Sequence, residues 1–150
     1  MSRPFDAVLV IAFGGPAGPS DVMPFLENVV RGRRVPASRL HEVAEHYAIF
    51  GGVSPITALT RAQAEGLAAR LRAASLAIPV EVGMRNWHPF LADTLARMSK
   101  AGARRVFAFI AAPHRSYSSC AQYHENVEAA RAEVRRAGLP DVAEIGRAHV

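Results

Sequence analysis

The chain has 150 residues, half of them apolar and 21 % charged, which is ordinary globular usage and enough length for one domain with a real core. Its formal charge of +5 is spread over scattered arginines, dense only at Arg31-Gly-Arg-Arg34; with 7 % aromatic residues and no stacking motif, this argues against a nucleic-acid binder. A single cysteine excludes an internal disulfide, and no apolar run approaches the ~20 residues that a membrane span requires.

Residues 6–13 form an apolar, β-branched run broken by Gly14-Gly-Pro16, which reads as a buried parallel-type strand. With Arg3 ahead of it the run faintly imitates a secretion signal. Asp6 interrupts it and no cleavage pattern follows, so a cytoplasmic protein is expected. Ser20 is placed to cap the next helix, where Val22, Phe25, Leu26 and Val29 share a face and Pro24 falls in the first turn. Residues 31–36 read as a loop and 38–47 as a short helix. After the hinge-like Gly51-Gly-Val-Ser-Pro55, Thr60 and Gln63 suggest a capping box on a helix lined by Ala64, Leu67, Ala68 and Leu71.

Residues 79–84 read as a second strand, and Pro89 as the first position of a helix with Leu91, Leu95 and Met98 inward and Gly102 as its stop. Residues 106–111 make a third strand. Tyr123, Val127, Ala130 and Val134 stripe a helix ending at Gly138-Leu-Pro140, and residues 141–143 begin a fourth strand. The last residues, Glu144-Ile-Gly-Arg-Ala-His-Val150, read as the translation of a common sequencing adapter. Residues 1–143 are therefore expected to form the domain and 144–150 a foreign tail. The alternation defines an α/β fold, a doubly wound parallel sheet.

A buried strand that runs into His114, Ser116, Tyr117, Cys120 and Tyr123 puts polar groups at the carboxyl edge of the sheet, where open α/β folds bind ligands. Gly14-Gly-Pro-Ala-Gly18 lacks the spacing of a dinucleotide loop and the lysine of a P-loop, and Pro16 and Pro19 remove two N–H donors. A tight turn that admits a flat ligand is an equal use of those glycines. His41 and His46 flank a zinc-protease-like stretch, but five helical residues turn ~500°, leaving the rings ~140° apart and unable to share a metal. His114 with Cys120 lacks a third orienting group for nucleophilic catalysis, and neither His114 nor His124 has a ligand spacing. By pattern alone Ser54 reads as a helix start and Tyr123 as packing at the edge of the core.

Five stretches taken in order change this picture. Ala12-Phe-Gly-Gly-Pro16, Phe25-Leu-Glu-Asn-Val29, Phe50-Gly-Gly-Val-Ser-Pro-Ile56, Gly83-Met-Arg-Asn-Trp-His-Pro89 and Ser116-Tyr-Ser-Ser-Cys-Ala-Gln-Tyr123 resemble the amino-terminal half of a ferrochelatase, over residues 5 to about 140. With Arg31-Gly-Arg and Glu45-His-Tyr they look most like the Gram-positive and actinobacterial branch, which inserts ferrous iron into coproporphyrin III. The resemblance implies a truncated chelatase-type, Rossmann-like domain, one of two similar domains with a porphyrin cleft between them. It also implies haem biosynthesis, a monomer, and ferrous iron and coproporphyrin III as the partners, with no nucleic acid and no membrane span.

By matching positions, Ser54 and Tyr123 carry over as contacts to the propionates or ring, and His46 and Tyr47 as residues facing the substrate. Phe13 stands where part of the branch has an iron-ligating tyrosine, so that ligation is not expected here. Val30 replaces an arginine of some relatives, which shifts propionate binding to Arg31 or Arg33. The family's metal-inserting His and Glu belong to the second half, so no catalytic residue and no metal ligand is assigned in these residues. Cysteines for an iron–sulfur cluster are not matched, and no cofactor is assigned. Other readings are a protoporphyrin IX ferrochelatase, a cobalt chelatase acting on sirohydrochlorin, and a non-catalytic tetrapyrrole-binding module.

Overall fold

In the computed structural model, residues 4–111 and 121–149 are described, with side chains as far as residue 143. The apolar run near the amino terminus is strand β1 (Ala7–Ala12), with all six residues buried. Three helices follow, α1 (Pro19–Val29), α2 (Ala37–Ile49) and α3 (Ile56–Ala73), and then β2 (Val80–Met84). The rest of the chain is α4 (Leu91–Lys100), β3 (Arg105–Ile110), α5 (Gln122–Arg136) and β4 (Ala143–His149). The four strands form one parallel sheet in the order β2-β1-β3-β4.

Alternate residues of a strand point to opposite faces, and β1 feeds two cores in this way. Ala7, Leu9 and Ile11 pack with Leu91, Leu95 and Met98 of α4 and the Tyr123, Val127, Ala130 and Val134 stripe of α5. Val10 and Ala12 face the other way, toward Ala64 of α3 and Val82 and Met84 of β2. The β1→β2 connection thus lies on one face and the β3→β4 connection on the other. The carboxyl ends of the adjacent strands β1 and β3 are therefore a topological switch point, the usual place for a ligand crevice. Helices α1 and α2 form a separate cluster centred on Phe25, which is 2 % exposed and packs with Phe13, Leu40, Val43, Tyr47 and Trp87.

At the opposite edge of the sheet Asp6 starts the β1–β3 pairing. Its Oδ2 accepts the backbone N–H groups of Arg104 at 2.9 Å and Arg105 at 2.8 Å, which hold its carboxyl below the usual range. Asp141 joins the end of α5 to the approach to β4. Its carboxylate accepts from Arg131 at 2.7 and 3.2 Å and from Arg135 at 3.1 Å.

Several local expectations are corrected. Helix α1 starts at Pro19 with Gly18 as its N-cap, so Ser20 lies inside the helix and caps nothing. Pro24 is consequently interior rather than in the first turn. Thr60 is interior to α3, where its hydroxyl donates to the Ile56 carbonyl at 2.7 Å instead of forming a capping box. Helix α4 begins at Leu91 with Phe90 as N-cap, which leaves Pro89 outside it. The fourth strand, expected to begin at residues 141–143, starts at Ala143 and runs to His149, with a register irregularity opposite Val106 and Phe107.

Candidate functional site

The chain leaves β1 at Phe13 and turns through Gly14 at φ +84°. Gly15 then lies so close to the start of α3 that a Cβ there would fall 2.4 Å from Ser54 Cβ and 2.6 Å from its Oγ. Only glycine permits this approach. The contact is fixed by the Ser54 N–H, which donates to the Pro16 carbonyl at 2.9 Å, and by an antiparallel bridge between Ala17 and Val53. Ser54 Oγ accepts the Ile56 N–H at 3.4 Å, so the side chain does start the helix, as its pattern suggests. The residue is only partly buried and stays within reach of the cleft.

The neighbouring wall comes from the turn after β2. The Arg85 N–H donates to the Ala12 carbonyl at 3.0 Å and the Asn86 N–H to the Phe13 carbonyl at 3.0 Å, which carries the β1–β2 pairing past the end of the strands. The buried Asn86 side chain donates a second bond to that Phe13 carbonyl at 3.3 Å. Asp21 ties the same turn to the glycine loop, since its Oδ2 accepts both the Ala17 N–H at 3.0 Å and the Trp87 indole N–H at 3.2 Å. Phe25 lies beneath, edge-to-face with Phe13, Tyr47 and Trp87 at centroid distances of 6.3, 6.0 and 6.2 Å. Such ring geometry adds to simple burial.

Arg85 stands over this floor. Its guanidinium carbon is 5.4 Å from the centre of the Tyr123 ring and 5.8 Å from that of Phe13, both within cation–π range. Burial lowers its pKa, Tyr123 and Glu125 oppose the shift, and the like charge of Arg33 adds to it. Burial raises the Tyr123 phenol, with Arg85 pulling the other way, so Tyr123 is a neutral hydroxyl at neutral pH. Below the guanidinium, Arg85, Arg31, Asn28, Phe90, Asp93 and Asn126 line a cavity of about 500 Å³. Arg31 and Arg85 bring positive charge to this cavity, with Arg33 near enough to act on Arg85, while Asp93 and Glu133 also line it.

The six candidate residues fall into two groups. Phe13, Tyr47, Ser54 and Tyr123 converge around the β1–α1 loop, Tyr123 being 4 % exposed in the core and Tyr47 half-buried, its phenol raised by burial. Arg31 and His46 are exposed, the former on the rim of the cavity and the latter on α2, where it acts electrostatically on Glu42. His114 and Cys120 lie outside the described residues, as do all of residues 112–120. Among the described residues no three His, Cys, Asp or Glu side chains gather to hold a metal ion, and no helix is long and apolar enough to cross a membrane. Asn28, Arg85, Asn86 and Trp87 are the residues that reading for reactive motifs passes over. The signal for three of them was the run Arg85-Asn-Trp-His88 directly after a strand.

A doubly wound parallel sheet with Arg85 set over the Phe13 and Tyr123 rings at its switch point is an α/β domain of the chelatase type. Residues 5–148 match the family model for ferrochelatase, and the chain belongs to that family. It is 49 % identical over 141 residues to a protein of Mycobacteroides abscessus named coproporphyrin III ferrochelatase, covering 94 % of this chain and 41 % of the relative. A protein of Nocardia farcinica with the same name is 52 % identical over 129 residues, 86 % of this chain and 37 % of the relative. A protein of Rhodopirellula baltica named ferrochelatase is 48 % identical over 142 residues, 95 % of this chain and 40 % of its own length. The chain therefore spans about two-fifths of the length of these curated relatives.

Proposed function

We propose that this chain forms one wall of the porphyrin cleft of an enzyme that inserts ferrous iron into coproporphyrin III. The observation that carries the reading is the Arg85 guanidinium held over the Phe13 and Tyr123 rings at the switch point. A porphyrin is flat and apolar with carboxylates at its rim, so its site needs aromatic surface and a few well-placed cations. Ile49 at the end of α2 and Phe50 after it, 75 % and 76 % exposed, add apolar surface on the approach to Ser54.

In this reading Phe13 and Tyr47 contact the ring, Ser54 and Tyr123 donate hydrogen bonds to propionates, Arg31 and Arg33 hold the rim, and His46 on α2 faces the substrate. Four propionates on coproporphyrin, against two on protoporphyrin IX, suit a site with this many donors. Insertion exchanges two pyrrole N–H protons for one ferrous ion. Among the described residues no base and no metal ligand is assigned, and this wall binds and orients the ring. The protein acts in the cytoplasm as a monomer.

A chimera tests the reading directly. The 129 matching residues of the Nocardia farcinica relative are replaced by those of this chain, and iron insertion into coproporphyrin III is followed by absorbance. Turnover by a chimera that sediments as a single copy, reduced by Ser54→Ala and Arg85→Met, is expected. A folded chimera without turnover would refute the proposal.

A further inference from the structure

The turn that carries Arg85 is tied to helix α1 as well as to the end of β1. Arg85 and Asn86 are pinned at their N–H groups by β1, through the carbonyls of Ala12 and Phe13. The free end of that turn is the Asn86 carbonyl. It is taken by Asn28 on α1, whose Nδ2 donates to it at 2.8 Å across 58 positions of sequence. Asn86 is 7 % exposed, so its carbonyl has little water to bond instead. Asn28 also lines the cavity that Arg85 and Arg31 border, so the clamp and the guanidinium share one cavity wall.

We infer that Asn28 is a positioning residue for Arg85: its carboxamide fixes the turn after β2, so that the guanidinium is held over Phe13 and Tyr123 when a ligand carboxylate arrives. The inference rests on the reading of this cleft as the site for an anionic tetrapyrrole. A long, charged side chain keeps several rotamers when its backbone can shift. Bonding the turn at the Arg85 and Asn86 N–H groups and again at the Asn86 carbonyl fixes where the Arg85 side chain starts, so that its ring contacts select one rotamer before the ligand arrives, which is how a rigid site gains affinity. Without the clamp, Arg85 keeps its charge and loses its aim.

Two readouts on the 150-residue chain test this. The first needs no ligand: nuclear Overhauser contacts between the Arg85 side chain and the ring protons of Phe13 and Tyr123. They are expected to be clear in the wild type and to weaken severalfold in Asn28→Leu, while contacts within the core around Ile110 and Val134 persist. The second is a fluorescence titration with coproporphyrin III of wild type, Asn28→Leu, Arg85→Met and the double variant at two salt concentrations. Asn28→Leu is expected to raise Kd five- to twentyfold and flatten its salt dependence. The double variant should bind no more than twofold more weakly than Arg85→Met alone, because both changes remove one interaction. A purely structural role for Asn28 would give additive losses and an unchanged salt slope.

Asn28→Ser also loses the reach to Asn86, and serves if the leucine variant does not fold. Wild-type ring contacts in either folded variant, or additive losses of affinity, overturn the inference. If the wild type binds no coproporphyrin, the reading of the cleft fails and the ring contacts alone decide the role of Asn28.

Discussion

Gly15→Ala probes the contact on which the site is built. In the structure a Cβ at residue 15 would lie 2.4 Å from Ser54 Cβ, 2.6 Å from Ser54 Oγ and 3.2 Å from Ile56 Cγ2. Ordinary contact begins at 3.4 Å, so the start of α3 has to move by about 1 Å, the difference between 3.4 and 2.4 Å. The two sides are not free to separate, because the Ser54 N–H is bonded to the Pro16 carbonyl and Val53 is bridged to Ala17. Forced overpacking of this kind costs about 1–3 kcal/mol. That should lower the urea midpoint by roughly 0.5–2 M for a slope of about 1.5–2 kcal/mol/M. Coproporphyrin affinity should fall as well, since Ser54 is pushed from its place. Gly66→Ala is the control. It lies in the exposed interior of α3 with nothing within 4 Å of the added Cβ, and should stabilise the chain by about 0.5–1 kcal/mol. A Gly15→Ala chain with the wild-type midpoint and unshifted Ser54 and Ile56 amide signals would show that the loop and helix are not in contact as described.

Asp6→Ala should destabilise the chain at pH 7. Because the folded pKa of Asp6 is depressed by the N–H groups of Arg104 and Arg105, its contribution is present above the unfolded value near 3.8 and is lost as pH falls through the lower folded value. The wild-type and mutant urea midpoints should therefore converge in acid, and a gap that widens as pH falls would contradict the assignment. Phe25→Ala removes the ring shared by Phe13, Tyr47 and Trp87, and should cost about 3–5 kcal/mol in equilibrium unfolding; a loss under 1 kcal/mol would mean that the α1–α2 cluster is not packed on this residue. In the chimera, Ser54→Ala and Arg31→Ala should erode a preference for coproporphyrin III over protoporphyrin IX of about 10- to 100-fold in kcat/KM, the worth of one or two well-placed charge-assisted bonds. An unchanged preference would show that neither residue reads the propionates. The purified chain alone should give no iron insertion above the uncatalysed rate, and robust turnover would place the metal-handling groups within these residues.

Much of the frame could be read from the residues because each signal was local and repeated. The buried run of β1 and the Tyr123–Val134 stripe of α5 each carry their own periodicity, and both occur where that periodicity puts them. Helix starts were harder. Ser20 and Thr60 have the right chemistry for caps, but Pro19 and Ile56 are already helical, and the backbone needs one start only. The start of β4 was legible near residues 141–143, but its run through residues 144–149 was not, because parallel pairing is a backbone property that tolerates their composition. The candidate residues Ser54 and Tyr123 came from resemblance; by pattern both looked structural, and the described contacts of Ser54 with Ile56 and of Tyr123 with the core include that role. Arg85 could not be found by spacing, since its ring partners lie 72 positions before it at Phe13 and 38 after it at Tyr123, and only the sheet brings them together. Asn28 is hidden for the same reason.

The claim that the switch point of this sheet is a tetrapyrrole site is tested most directly by titrating the ¹⁵N-labelled chain with coproporphyrin III and following every backbone amide. The account predicts saturable shifts concentrated at residues 13–17, 53–56, 85–87 and 123, where a porphyrin ring would shield the nearest groups, with the Asp6 and Arg105 amides at the far edge of the sheet unmoved. Shifts confined to that far edge, or spread evenly over the surface without saturation, would contradict it.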